Sequence, residues 1–177
     1  MKIGILSDTH DRLDTIEKVF HIFLDEKVEQ IIHCGDWVSP FTIEFFDEMN
    51  LQHTKIPVFS VFGNNEGDIK RIIERNNNLA FPVQFAAKTV LELERDGKRL
   101  ATYHGHDKEI LSALIASQHY DAVFCGHTHM QFSMSQGKTL VFNPGAICYA
   151  RESRMIKEAS VGIYDSLSNE GKHIYLS

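Results

Sequence analysis

The chain has 177 residues, 43% apolar and 24% charged, the size and balance of one folded domain, which excludes a disordered chain. Eighteen Lys and Arg against 24 Asp and Glu leave a formal charge of −6, which argues against stable nucleic-acid binding or attachment to an anionic membrane. Three cysteines without a C-x-x-C pair exclude a disulfide framework or a thiolate zinc site, and no apolar run approaches the ~20 residues of a membrane helix. A short apolar run over residues 2–7 reads as the first strand. Asp8 cuts it off too early for a signal peptide, so a reducing, cytoplasmic compartment is expected.

Residues 11–26 carry Leu13, Ile16, Val19, Phe20, Phe23 and Leu24 at the spacing of one helix face. A strand over 30–33, a helix over 40–49 opened by Pro40, a strand over 57–62 and a helix over 68–75 follow. The second half is richer in strands, predicted over 83–85, 90–93, 99–104, 122–125, 131–135, 139–143, 160–164 and 173–176. Asp96-Gly97 and Gln136-Gly137 read as tight turns, and 108–117 as the last helix. Alternating β-α-β followed by mostly β predicts an α/β (α+β) domain over residues 1–177, with a mixed sheet that gains a second layer and helices outside.

Five of these strands end on polar residues able to bind a metal ion: Asp8-Thr9-His10, Gly35-Asp36, Gly63-Asn64-Asn65, His104-Gly105-His106 and Gly126-His127-Thr128-His129. In open α/β sheets ligands bind at the carboxyl ends of strands, so groups this scattered in sequence can converge. Asp8, His10, Asp36, Asn64, His104, His127 and His129 offer carboxylate, imidazole and amide donors. Seven donors are too many for one tetrahedral ion but suit two ions that share a bridging carboxylate. Such a set accepts Mn²⁺, Ni²⁺, Fe²⁺, Zn²⁺ or Co²⁺, with Mn²⁺ as the first expectation.

D-x-H, G-D, G-N-x, H-G and G-H-x-H, in this order from Asp8 onward, resemble the signature blocks of calcineurin-like metallophosphoesterases. The short length, the H-G-H block and Asn143-Pro144-Gly145 resemble that family's small single-domain bacterial and archaeal phosphodiesterase branch. The resemblance implies a four-layer αββα sandwich of two mixed β-sheets flanked by helices. It also implies two divalent ions per chain: Asp8, His10 and His129 on the first, Asn64, His104 and His127 on the second, Asp36 between them. The implied reaction is in-line attack of a metal-bridging hydroxide on a small phosphodiester, with Asn64 also touching the scissile phosphate.

One position departs from the protein phosphatases of the superfamily, which carry histidine after G-N where this chain has Asn65. His106 is the candidate substitute acid, and Asn65, Arg151 and Arg154 are candidate substrate contacts. Cys34 and Cys125 read as small core residues, and His21, His53, His119 and His173 as surface or ordinary structural histidines. Gly137-Lys138-Thr139 imitates the end of a phosphate-binding loop, but the first glycine which that motif needs falls at Phe132. The rival readings are a phosphomonoesterase or nucleotidase and a non-catalytic interaction scaffold, the role of one retromer subunit of this fold. A nuclease would want a basic or aromatic track leading to the metals, whereas Lys and Arg here are dispersed among acids. Oligomeric state is left open.

Overall fold

A computed structural model describes residues 1–148 and 158–176. Strands β1 (Lys2–Leu6), β2 (Gln30–His33), β3 (Val58–Ser60) and β4 (Gln84–Phe85) run parallel, with Ile3 opposite Gln30 and Ile31 opposite Val58. On the other side of β1 lie antiparallel β10 (Ser160–Asp165) and β11 (Glu170–Tyr175), giving the order β11-β10-β1-β2-β3-β4. A second sheet has the order β5-β6-β7-β9-β8, from β5 (Leu91–Arg95), β6 (Lys98–Thr102), β7 (Ala122–Phe124), β8 (Phe132–Gln136) and β9 (Thr139–Asn143). Its β6, β7 and β9 are parallel.

β1 reads as a nearly continuous apolar run because both its faces are covered. Ile3 and Ile5 pack with Ile32, Phe124, Phe142 and Tyr164 between the two sheets. Leu6 faces the other way, into a core with Ile16, Phe20 and Phe23 of α1 (Leu13–Asp25) and Ile43 and Phe46 of α2 (Pro40–His53). The ring of Phe23 lies so close to β1 that a Cβ on Gly4 would sit 2.7 Å from it, so only glycine fits. α3 (Ile69–Asn76) joins this outer layer through Ile72. Opposite, α4 (Lys108–Ala116) covers Ala101 and Val123 of the second sheet, together with Tyr120 just before β7. None of its own residues is fully buried, so the fourth layer is one thin helix.

The predicted layers and element order stand, with shifts at the ends. α2 runs on to His53 because Thr42, Ile43, Phe46, Met49 and Asn50 keep one face buried through its last turn. β11 starts at Glu170, three residues before the prediction, because Tyr164 pairs with Gly171 and Asp165 with Glu170 in a hairpin closed through Asn169 (φ 60°). The second tight turn falls one residue later than predicted, since Gln136 still pairs with Thr139. No helix among the described residues is long and apolar enough to cross a membrane. Arg151 and Arg154 lie outside the described residues.

Candidate metal centre

The parallel strands of both sheets deliver their C-terminal loops to one place. After β1, the backbone N–H groups of Asp8, Thr9 and His10 donate to the carbonyls of Gly35 and Asp36 at 3.0–3.2 Å, so the first loop lies on the second. Asn65 N–H, after β3, donates to Asp36 Oδ1 at 2.9 Å. From the second sheet, Gly126 N–H donates to the His104 carbonyl at 2.8 Å, and His127 N–H to Asp8 Oδ2 at 3.0 Å. Two glycines are forced by this crowding. A Cβ on Gly63 would overlap Asp36 Oδ1 and lie 2.6 Å from Asp36 N, and one on Gly126 would overlap Ser7 Oγ.

All seven predicted donors are present at this mouth. His10 Nε2 is 3.3 Å from Asp36 Oδ2 and 3.8 Å from Asp8 Oδ1; His129 Nε2 is 3.1 Å from Asp8 Oδ1. His104 Nε2 is 3.4 Å from Asp36 Oδ1 and 3.0 Å from Asn64 Oδ1. The ring of His127 lies 5.2 Å from that of His104. Asp8 is fully buried and Asp36 nearly so, whereas Asn64 and His127 are exposed.

This geometry calls for cations. His104 Nδ1 lies 2.8 Å from the Cys34 carbonyl, which can only accept, so the proton is on Nδ1. In the neutral ring Nε2 then carries a lone pair, and it faces two oxygens. Asp8 Oδ1 and His10 Nε2 are buried without a hydrogen-bond partner. In the metal-free protein protons must fill the gap. His10 is pushed up to about 10, mainly by Asp36 and then Asp8. His129 is pushed up to about 9, mainly by Asp8. Burial opposes ionisation of Asp8 and Asp36, but the facing histidines outweigh it and hold both far below the usual carboxylate range. Burial also opposes a charge on His104, and Asp36 again prevails, so its pKa rises. Burial lowers His127, helped by neighbouring His104. Divalent ions satisfy the same lone pairs without protons, so the donor set fits them.

Several supporting residues escape the sequence reading. The Glu66 carboxylate accepts from the backbone N–H groups of Asp36 and Gly63 on one oxygen and of Trp37 and Val38 on the other, at 2.9–3.0 Å. It thereby holds Asp36 (φ 64°) and Val38 (φ 75°) in the left-handed region, which a β-branched residue strongly disfavours. His33 is fully buried, stacked on Trp37 with ring centroids 3.7 Å apart, and burial lowers it to about 3. Gly35 N–H donates to its Nδ1, so the ring carries its proton on Nε2 and gives it to Thr9 Oγ1 at 2.6 Å. Asn143 ties the histidine loop down, donating to the Gly126 carbonyl and accepting from Gly145 N–H.

The remaining predicted residues sit around the mouth. The Asn65 amide lies 3.4 Å from His10 Nδ1. His106 is exposed, its ring 5.7 Å from His104 and 6.3 Å from His127. Cys34 and Cys125 are buried core thiols, and burial pushes Cys125 up to about 12. Cys148 is also buried, with Sγ 3.7 Å from His129 Nδ1. His173 is structural, stacked on Phe142 and donating to the Asn143 carbonyl at 2.8 Å.

Comparison with known proteins matches residues 1–166 to the calcineurin-like phosphoesterase superfamily domain. The phosphodiesterase MJ0936 of Methanocaldococcus jannaschii is 36% identical over 183 residues, covering 99% of this chain and 99% of its own length. The phosphodiesterase YfcE of Escherichia coli is 27% identical over 176 residues, covering 94% of this chain and 88% of its own. Among solved structures, an archaeal phosphodiesterase superposes with a TM-score of 0.85 at 35% identity, covering 99% of this chain and all of the other.

Proposed function

The chain belongs to the calcineurin-like phosphoesterase superfamily, and from that premise we infer that it is a metal-dependent phosphodiesterase acting on small phosphodiesters through two ions held by one domain, residues 1–177. In this reading Asp8, His10 and His129 hold one ion, Asn64, His104 and His127 the other, and Asp36 bridges them. One observation carries it: the two oxygens of Asp36 face different histidines, Oδ2 toward His10 at 3.3 Å and Oδ1 toward His104 at 3.4 Å. When bound, the ions supply an acidified water as nucleophile and positive charge for the phosphoryl oxygens.

The chain's own groups do the rest. Asn64 is exposed beside His104 and contacts the scissile phosphate through its amide. Asn65 orients His10: an ion held at Nε2 would displace the proton there, leave the one on Nδ1, and require the amide to present its oxygen. Its exposed side also faces substrate. His106, at the rim, gives a proton to the departing alkoxide. Arg151 and Arg154 grip a distal anionic group. Asn65 in place of a histidine fits the small phosphodiesterase branch that the chain resembles and on that ground favours diesters over monoesters. The nitrogen and oxygen donors suit Mn²⁺ first and Ni²⁺, Fe²⁺, Zn²⁺ or Co²⁺ as alternatives. The free thiols Cys34, Cys125 and Cys148 suit the cytoplasm.

The test compares bis-(p-nitrophenyl) phosphate with p-nitrophenyl phosphate, using metal-stripped protein and then protein with each ion added. The expected result is metal-dependent diester cleavage that Asp36→Asn abolishes. Preference for the monoester would move the assignment to a phosphatase. Two bound metals per chain with no turnover on either ester would favour a scaffold.

A further inference from the structure

The structure carries a second cluster of metal-binding groups on its helical face. Glu17 and His21 stand one turn apart on α1, with His21 Nε2 4.0 Å from Glu17 Oε1. His53, in the last turn of α2, brings its ring to 4.7 Å from that of His21, with the planes at 62°. One donor atom from each residue lies within 4.8 Å of the others. Glu17 and His21 are exposed and His53 is half-buried, so all three can turn without disturbing the core. Their backbones are fixed, since Phe20 and Phe46 meet edge to face at 4.7 Å where α1 packs on α2.

We propose that Glu17, His21 and His53 form a surface site for one divalent transition-metal ion of the zinc class, which ties α1 to α2. Bonds of ~2.0–2.2 Å in a tetrahedral site require donors about 3.4 Å apart, so the three groups need to close by roughly an ångström, within the reach of exposed side chains. Two imidazoles and one carboxylate leave the fourth position to water. Imidazole selects Zn²⁺, Ni²⁺, Co²⁺ or Cu²⁺ over Mg²⁺ and Mn²⁺. Both helices leave from loops of the candidate metal centre: α1 begins three residues after His10 and α2 four after Asp36. An ion here therefore braces the two helices that carry those loops. The site does not depend on the proposed activity.

The experiment counts bound zinc per chain by equilibrium dialysis and elemental analysis in wild type, His21→Gln and His53→Gln, each with Zn²⁺ or Mn²⁺, and records Tm beside each count. The expected result is one fewer zinc per chain in both variants, with an unchanged manganese count. The variants should also lose several degrees of the zinc-induced rise in Tm. Glu17→Gln should retain the zinc at a dissociation constant at least 10-fold weaker. The far-UV circular dichroism spectrum should stay that of wild type, which shows that the variants are folded. Equal zinc counts in wild type and variants overturn the proposal. So does loss of zinc in one histidine variant alone, because a three-donor site needs both rings.

Discussion

Replacing Glu66 by alanine removes the group that holds the Asp36 loop in place. Four backbone N–H groups converge on its carboxylate at 2.9–3.0 Å. Hydrogen bonds to a fully buried charge contribute about 1.5–3 kcal/mol each, but this carboxylate is half-buried and water can replace part of it, so about 1 kcal/mol per bond is appropriate. The gross loss is then about 4 kcal/mol. Against it stands the strain at Asp36 and Val38, with φ of 64° and 75°, each costing on the order of 1–3 kcal/mol. A released loop relaxes and recovers part of that energy. The net effect on stability is therefore about 2–3 kcal/mol.

Activity should fall further than stability, because the same relaxation moves the proposed bridging carboxylate. A misplacement of about 1 Å can cost ~10²-fold in rate. The two effects separate cleanly: urea unfolding of metal-stripped protein reads the first, and diester turnover at saturating Mn²⁺ in native buffer reads the second. Glu66→Gln should recover at most half of each, since its amide nitrogen would face two of the four donors. A Glu66→Ala protein within 0.5 kcal/mol of wild type and with unchanged kcat would refute both the clamp and the strain argument.

Gly63→Ala drives a methyl into Asp36 and its backbone nitrogen, and overpacking of about 2–3 kcal/mol should lower Tm by roughly 5–10 °C in a thermal melt. His106→Ala should slow diesters with basic leaving groups at least 10-fold more than nitrophenyl esters, which need no acid; equal slowing of both would remove His106 from that role. Stripped of metal, the protein should show a stability maximum near pH 6.5 when Tm is followed against pH, because His33, lowered to about 3 by burial, withdraws its contribution as pH falls below the unfolded value near 6.5. His10 and His129 rise to about 10 and about 9 in the fold, so their contribution is complete below the unfolded value near 6.5 and is lost as pH climbs through 9–10. Asp8 and Asp36 are depressed, so theirs is present above the unfolded value near 4 and fades in stronger acid. A flat profile from pH 6 to 10 would show that protons do not bridge these groups.

The layers were legible because each buried strand is an apolar run that stops at a polar residue, and the helix faces keep their period. The convergence of scattered donors was legible for a related reason, since five strand ends carry metal-binding types and parallel strands bring such ends together. Glu66 was not legible. An acid after Gly-Asn-Asn reads as a solvated loop residue, and its work depends on how closely the β2 and β3 loops approach, which β2–β3 pairing decides. His33 was hidden because it lies inside a strand, where histidine reads as ordinary core. His21 and His53, 32 positions apart, show no spacing that would suggest a pair; only the packing of α1 on α2 brings their rings together.

The placement of strain says something about how the site works. Among the described residues twelve non-glycine residues have positive φ, and five of them are Asp8, His10, Asp36, His127 and His129. Each such conformation costs energy and survives only where the surroundings over-determine it. Here the surroundings are the other loops: Asp8, Thr9 and His10 hang on Gly35 and Asp36, Asn65 on Asp36, and His127 on Asp8. No loop of the centre is held by its own strand alone. The donors are thus positioned before any ion arrives, and binding needs little rearrangement, which is the condition for preorganised electrostatics. In the proposed two-ion reading a chain of charge −6 can still serve an anionic substrate, because the field at the mouth would be set locally by two carboxylates against two ions rather than by the whole surface. It follows that changes in different loops will not act independently. Gly63→Ala and Glu66→Ala both displace Asp36, so the double variant should lose clearly less stability than the two single losses combined, and a double-mutant cycle with strict additivity would mean that the loops are held separately.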